Sequence, residues 1–152
     1  MLEAWNSGDH LTIRVFGKET EVSVFSLGDS RFDENGDYRE DDFPLNREEL
    51  DCLNWFLEHT DISDCRKEIA AYCNELYAGT GRPPVAESDL EREIQITGIA
   101  VNISEITQSG DGSLIYPQIS FMGECECAPE HGICIGFRDQ KFLGIHAQDW
   151  ML

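Results

Sequence analysis

Four side chains that could bind a metal ion lie close together near the C-terminal end of the sequence. Three are thiols and one is an imidazole, and they are Cys125, Cys127, His131 and Cys134. Thiolate sulfur and imidazole nitrogen are the ligands that zinc prefers in tetrahedral protein sites. The spacing argues against zinc, because one residue separates Cys125 from Cys127, whereas zinc-binding pairs usually have two to four residues between them. We therefore expect buried or half-buried thiols here, with no cofactor.

The pattern of apolar residues around these thiols supports the same expectation. Apolar residues alternate with others, which is typical of a strand with one buried face. On such a strand Cys125 and Cys127 share a face with Ile119 and Phe121, whereas Cys134 lies between two isoleucines and points to the opposite side. The thiols diverge unless the intervening turn is unusual.

Glu130 and His131 form a second candidate site, because a carboxylate beside an imidazole can transfer protons. Both fall in a predicted turn, where side chains often bond the backbone and brace a hairpin. The sequence contains no nucleophile elbow, phosphate-binding loop, zinc-protease motif or dinucleotide fingerprint that would complete a catalytic site. A zinc domain or an enzyme that uses His131 with Glu130 or with the three thiols is the alternative to a non-enzymatic protein.

The elements that carry these residues are predicted as consecutive antiparallel strands between residues 115 and 150. Upstream, the sequence predicts a β-hairpin over residues 11–27 and a strand over residues 94–103 with a β-bulge at Gly98. Between them it predicts one helix from Asn46 to about His59 and a second that begins near Asp61 or Ser63 and ends at Gly79 or Gly81. Asn46 and Glu49 have the spacing of a capping box. We expect one α+β domain over residues 1–152, with a mainly antiparallel sheet in the order β-β-α-α-β-β-β-β and both helices packed on one face.

The charge of the chain is its most unusual property. There are 30 acidic residues against 11 lysines and arginines, which gives a formal net charge of −19. Direct binding to nucleic acid is disfavoured, because it requires a basic surface. A basic protein partner would instead be attracted. The densest acidic segment contains Asp29, Asp33, Glu34, Asp37, Glu40, Asp41 and Asp42.

The N-terminal residues lack the basic and apolar regions of a secretory signal, and no apolar run approaches the length of a membrane span. The sequence therefore predicts a cytoplasmic protein that does not enter a membrane. In that compartment the six cysteines are expected to be reduced.

The run from Cys125 to Asp149 resembles the C-terminal signature of small uncharacterised bacterial domains, a Cys-Asp-Trp-Asp-Pro-Glu-His-Gly-like segment that leads into a hairpin. The matching residues are Cys125, Glu126, Pro129, Glu130, His131 and Gly132. Cys127 stands where tryptophan is usual, and Ala128 stands where an acid is usual. Some of these domains resemble immunity proteins of bacterial toxin systems. The resemblance implies a non-enzymatic, immunity-type inhibitor of a toxin. The charge of the chain adds that the toxin would be basic, for example a nuclease, and that the acidic segment, with Glu130 and His131 as a further candidate, would bind it.

Overall fold

A computed structural model of the chain describes residues 2–103, 108, 110–112 and 114–148, and of Asp29 it describes only the backbone. Residues 149 and 150, the end of the predicted C-terminal strand region, lie outside the described residues. The described chain forms an α+β fold around one six-stranded sheet, in which the strands lie side by side in their sequence order. The strands are β1 (His10–Val15), β2 (Lys18–Ser26), β3 (Ile94–Val101), β4 (Ile119–Cys125), β5 (Ile133–Arg138) and β6 (Lys141–His146).

Three α-helices lie between β2 and β3 in the sequence: α1 (Arg47–His59), α2 (Arg66–Tyr77) and the short α3 (Leu90–Glu93). The predicted order differs from this one in detail, since it omits α3 and the 3-10 turns before α1, α2 and α3. The acidic segment over residues 85–93 leads to β3 and contains α3, and Leu90, the first residue of α3, is fully buried in the core.

The sheet is mostly antiparallel, and β2 and β3 form its parallel pair. The predicted bulge is confirmed, since the register between β3 and β4 shifts between Ile96 and Gly98. A side chain at position 98 would begin 3.1 Å from the Phe25 ring. Glycine therefore allows β2 and β3 to approach closely at this point.

One face of the sheet packs against α1 and α2. The apolar stripes of these helices, represented by Leu53 and Ile69, belong to the same buried cluster as Val24, Ile99 and Phe121 from the strands. Burial of these side chains is the main source of stability for the domain.

The opposite face of the sheet carries a smaller cluster built around Ala100, Met122 and Cys134. Met122 and Cys134 are register partners on neighbouring strands, so their side chains share this face. Cys125 belongs to the cluster on the helical face. No helix in the described part of the chain is long and apolar enough to cross a membrane.

Helix α1 begins at the predicted capping box, which is confirmed. The Asn46 side chain accepts a hydrogen bond from the Glu49 backbone N–H (2.9 Å), and the Glu49 carboxylate accepts one from the Asn46 N–H (3.0 Å). Glu49 is fully buried and also accepts a hydrogen bond from the Ser26 hydroxyl at the end of β2. The start of α1 is thereby tied to the sheet.

Candidate functional site

The acidic segment between β2 and α1 forms a loop with its own hydrogen bonds. The Asp33 carboxylate accepts from the backbone N–H groups of Asn35 (2.8 Å) and Asp37 (3.0 Å), and Gly36 adopts the left-handed conformation that the turn requires. The Asp33 N–H donates to the Asp37 carbonyl (2.8 Å). Residues 33–37 are therefore held in one turn by short-range bonds.

Two aromatic side chains are exposed on this loop. Phe32 is 39% exposed and Tyr38 is 67% exposed, and their rings meet edge to face with centroids 6.3 Å apart. The two residues also form an isolated antiparallel bridge, and the Arg39 side chain donates to the Phe32 carbonyl (3.3 Å). The backbone thus fixes a pair of large apolar groups at the surface.

The acidic side chains surround this aromatic pair in the sequence. Asp33 is half-buried, and the exposed members are Glu34, Asp37, Glu40, Asp41 and Asp42. The side chain of Asp29 lies outside the described residues. Arg47 forms an ion pair with Asp51, and the His10 ring lies 3.4 Å from the Glu21 carboxylate; neither of these contacts uses an acid of the loop. The loop therefore presents negative charge to solvent.

Glu49 anchors both ends of the loop. At the entrance, the Ser26 hydroxyl that donates to Glu49 also accepts from the Gly28 N–H (3.1 Å). At the exit, Asn46 forms the capping box with Glu49, and its side-chain amide donates to the Ser30 hydroxyl (2.9 Å). One buried carboxylate on α1 thus fixes where the acidic loop leaves and rejoins the fold.

Glu130 and His131 are both exposed in the turn between β4 and β5. The turn is held by the backbone, since the N–H groups of His131 and Gly132 both donate to the Ala128 carbonyl (3.2 and 2.9 Å). The Gln148 N–H donates to the His131 carbonyl (3.1 Å). Among the described residues, no cluster with metal-ligand geometry includes His131.

A cluster of sulfur atoms lies under this turn. Cys125 is the last residue of β4, and the turn that follows brings Cys127 back to the same side, where the two form a disulfide. This bond differs from the expected reduced thiols. The Cys73 Sγ on α2 lies 3.9 Å from the Cys125 Sγ and 3.4 Å from the Cys127 Sγ. Cys73 is fully buried and Cys125 nearly so, whereas Cys127 is half-buried.

Glu93 completes this cluster, because one oxygen of its carboxylate and the three sulfurs all lie within 4.8 Å of one another. Glu93 ends α3 and directly precedes Ile94, the register partner of Cys125. The Tyr77 hydroxyl donates a hydrogen bond to Glu93 and accepts one from the Arg82 guanidinium (3.3 Å), which also lies over the Tyr77 ring. The thiol–carboxylate cluster therefore comprises Cys73, Glu93, Cys125 and Cys127, supported by Tyr77 and Arg82.

Burial and the nearby negative charge raise the pKa of two groups in and beside this cluster, the Cys73 thiol and the Tyr77 hydroxyl. Burial, and then the nearby Glu93 carboxylate, raise the pKa of Cys73 to about 12. Burial and the hydrogen bond to Glu93 raise the pKa of Tyr77 to about 12. Near neutral pH, Cys73 is therefore a thiol and a poor nucleophile.

The structure separates the four potential ligands singled out in the sequence. Cys125 and Cys127 meet, Cys134 belongs to the cluster on the other face of the sheet, and His131 is exposed in the turn. Sequence reasoning missed Cys73 and Glu93. Cys73 lies on the apolar stripe of α2, so its position facing the sheet could be predicted, although its contact with a particular strand could not.

Comparisons with known proteins give one match. A family described as a domain of unknown function, DUF6985, matches residues 2–152, which is nearly the whole chain. No curated protein and no solved structure matches the chain.

Proposed function

The chain belongs to the DUF6985 family of domains of unknown function, and we propose that it is a non-enzymatic binding protein for a basic protein partner. The observation that carries this proposal is the exposed pair Phe32 and Tyr38 within the ordered acidic loop. Aromatic side chains dominate the energy of many protein interfaces, and the charges around them govern encounter and selectivity.

The loop has the properties that a binding surface needs. Its turn is preformed by the Asp33 hydrogen bonds, and its ends are fixed by Glu49, so little conformational entropy is lost on binding. Its exposed acids would attract a basic surface over a Debye length of about 8 Å at physiological ionic strength. Affinity would then come from burial of the two aromatic rings.

The form of binding protein that we favour is an immunity-type inhibitor of a basic toxin or nuclease. The support for this choice is that the segment from Cys125 to Gly132 resembles small uncharacterised bacterial domains, some of which resemble immunity proteins, together with the net charge of −19. Exposed Glu130 and His131 offer a second contact region for the same partner. An enzyme based on these two residues has less support, because both side chains lie exposed in the turn and not in a site that excludes water.

The experiment is a capture of partners from lysate of the source cell, followed by binding kinetics with the purified partner. Replacing Phe32 and Tyr38 with alanine should weaken binding by at least about tenfold, because hot-spot residues typically contribute more than about 1 kcal/mol each. Leu76→Ala is the matched control, since Leu76 is 41% exposed on α2, away from the loop in sequence. Equal binding by the double variant and the control would refute the assignment of the loop.

A further inference from the structure

The thiol–carboxylate cluster has the composition of a site for a soft divalent metal ion. Thiolates favour zinc and related metals, and a carboxylate oxygen is an accepted fourth ligand for zinc. We propose that, when its cysteines are reduced, the chain binds one zinc ion through the sulfurs of Cys73, Cys125 and Cys127 and a carboxylate oxygen of Glu93. The acidic loop shares no residue with this site, so the two proposals fail or succeed separately.

The distances between the sulfur atoms fit a tetrahedral site. With zinc–sulfur bonds of about 2.3 Å, the sulfurs at two corners of a tetrahedron lie about 3.8 Å apart. Cys73 lies 3.9 Å from Cys125 and 3.4 Å from Cys127 at the sulfur atoms. Two of the three edges between sulfurs therefore already match a zinc site within a few tenths of an ångström. The third edge is spanned by the Cys125–Cys127 disulfide.

The residues around Glu93 would hold it as a ligand. The Tyr77 hydroxyl donates to one Glu93 oxygen, and the Arg82 guanidinium donates in turn to Tyr77. Hydrogen bonds of this kind orient metal-binding carboxylates and are important for metal affinity. The negative charge of three thiolates and one carboxylate exceeds the positive charge of one zinc ion. Arg82 places a further positive charge near this site.

A metal ion would have a route to the cluster. A cleft of about 780 Å³ opens between β1, β2 and the ends of β3 and β4, and both Glu93 and Cys125 line it. Six glutamates line the cleft, Glu91, Glu124 and Glu126 among them, against the two cations Lys18 and Arg92, so the walls carry a net negative charge that attracts cations.

The disulfide makes this a site that depends on redox state. A cellular thiol of the glutathione class, or a protein dithiol, would supply two electrons and two protons to the Cys125–Cys127 bond. The sulfur–sulfur bond then breaks to give two thiols, while the donor is oxidised to its own disulfide. Zinc replaces the thiol protons when it binds. In the disulfide form two of the four ligands are lost.

The test uses the full chain, stripped of metal and kept reduced under anaerobic conditions, with Co²⁺ as the spectroscopic probe. We expect one Co²⁺ per chain, with the intense visible bands of a tetrahedral ion and a thiolate-to-cobalt charge-transfer band. One equivalent of Zn²⁺ should abolish both. A spectrum without thiolate ligation at one equivalent of Co²⁺ would overturn the proposal.

Variants then assign the ligands. Cys73→Ala should weaken metal binding by more than about 100-fold, and Tyr77→Phe, which keeps all four ligands, should weaken it by about 10- to 100-fold. Cys134→Ala is the matched control, because it removes a buried thiol from the other face of the sheet. Similar losses in the Cys73 and Cys134 variants would contradict the assignment. If Cys73→Ala does not fold, Glu93→Gln tests a ligand that is only half-buried.

The redox dependence has its own measurement. The chain with an intact Cys125–Cys127 disulfide, verified by mass spectrometry, should bind Co²⁺ at least about 100-fold more weakly than the reduced chain, because two ligands are missing. Equal affinity in the two states would overturn the redox dependence.

Discussion

Replacement of Glu49 by alanine tests whether one buried carboxylate holds the acidic loop and α1 on the sheet. The change removes the acceptor of the Asn46 N–H and Ser26 O–H bonds. Loss of the acceptor costs about 1 to 3 kcal/mol for the buried Ser26 hydroxyl and about 1 to 2 kcal/mol for the partly buried Asn46 N–H, which gives about 2 to 5 kcal/mol for the two. Removing a buried charge returns part of its desolvation cost, so we expect a loss of about 2 to 4 kcal/mol.

The assay is urea unfolding followed by tryptophan fluorescence and by circular dichroism, with two further variants for comparison. Glu49→Gln keeps an acceptor for the Asn46 N–H and suits a capping box, so it should cost about 1 kcal/mol. Glu48→Ala, one residue away and exposed, should change the unfolding free energy by less than about 0.5 kcal/mol. The reasoning is refuted if Glu49→Ala is as mild as Glu48→Ala.

Three further predictions concern the surface, the core and the thiols. Changing four of the five exposed loop acids, Glu34, Asp37, Glu40 and Asp41, to their amides should slow association with a basic partner about tenfold at low salt. At 1 M salt, where the Debye length is about 3 Å, the change should hardly slow association. An equal rate at low salt would place the interface elsewhere. Ile119→Ala should lower the unfolding free energy by about 2 to 5 kcal/mol, because Ile119 is fully buried. Ile115→Ala, at a side chain that is 50% exposed, is its control, and equal losses in denaturant titration would contradict the assigned core. Burial raises the pKa of Cys134 from 9.0 to about 11, so the folded chain keeps a proton that the unfolded chain loses. The contribution of Cys134 to stability should therefore be fully present below pH 9 and be lost as the pH rises to about 11. In the Cys134→Ala variant, the loss of unfolding free energy between pH 9 and 11 should be smaller by roughly 2 kcal/mol. If unfolding measured over this pH range shows the same loss in the variant, Cys134 is not its cause.

Local features of this fold could be predicted from the sequence. The capping box at Asn46 and Glu49 depends on residues three positions apart, and the bulge at Gly98 follows from a shift in the apolar pattern of one strand. In both cases the interacting groups are close along the chain, so their chemistry and spacing determine the structure.

Features that depend on packing between distant elements could not be predicted. Cys73 meets Cys125 and Cys127 only because α2 lies on the sheet in one position and a turn folds Cys127 back. The periodic spacing of apolar residues shows which face of a helix is buried, but it does not show which strand that face contacts. The parallel pairing of β2 with β3 was missed for the same reason.

The parallel join between β2 and β3 has a consequence for how the chain folds. The hairpin of β1 and β2, and the run of strands from β3 to β6, each form between neighbours in the sequence. Val24 and Ile99, paired across the join, must instead find each other with the acidic loop and all three helices between them. Closing so long a segment is slow, because its entropy is lost before the contacts form. We therefore expect the two parts of the sheet to form first and to unite late, with Val24→Ala accelerating unfolding more than it slows folding in stopped-flow experiments.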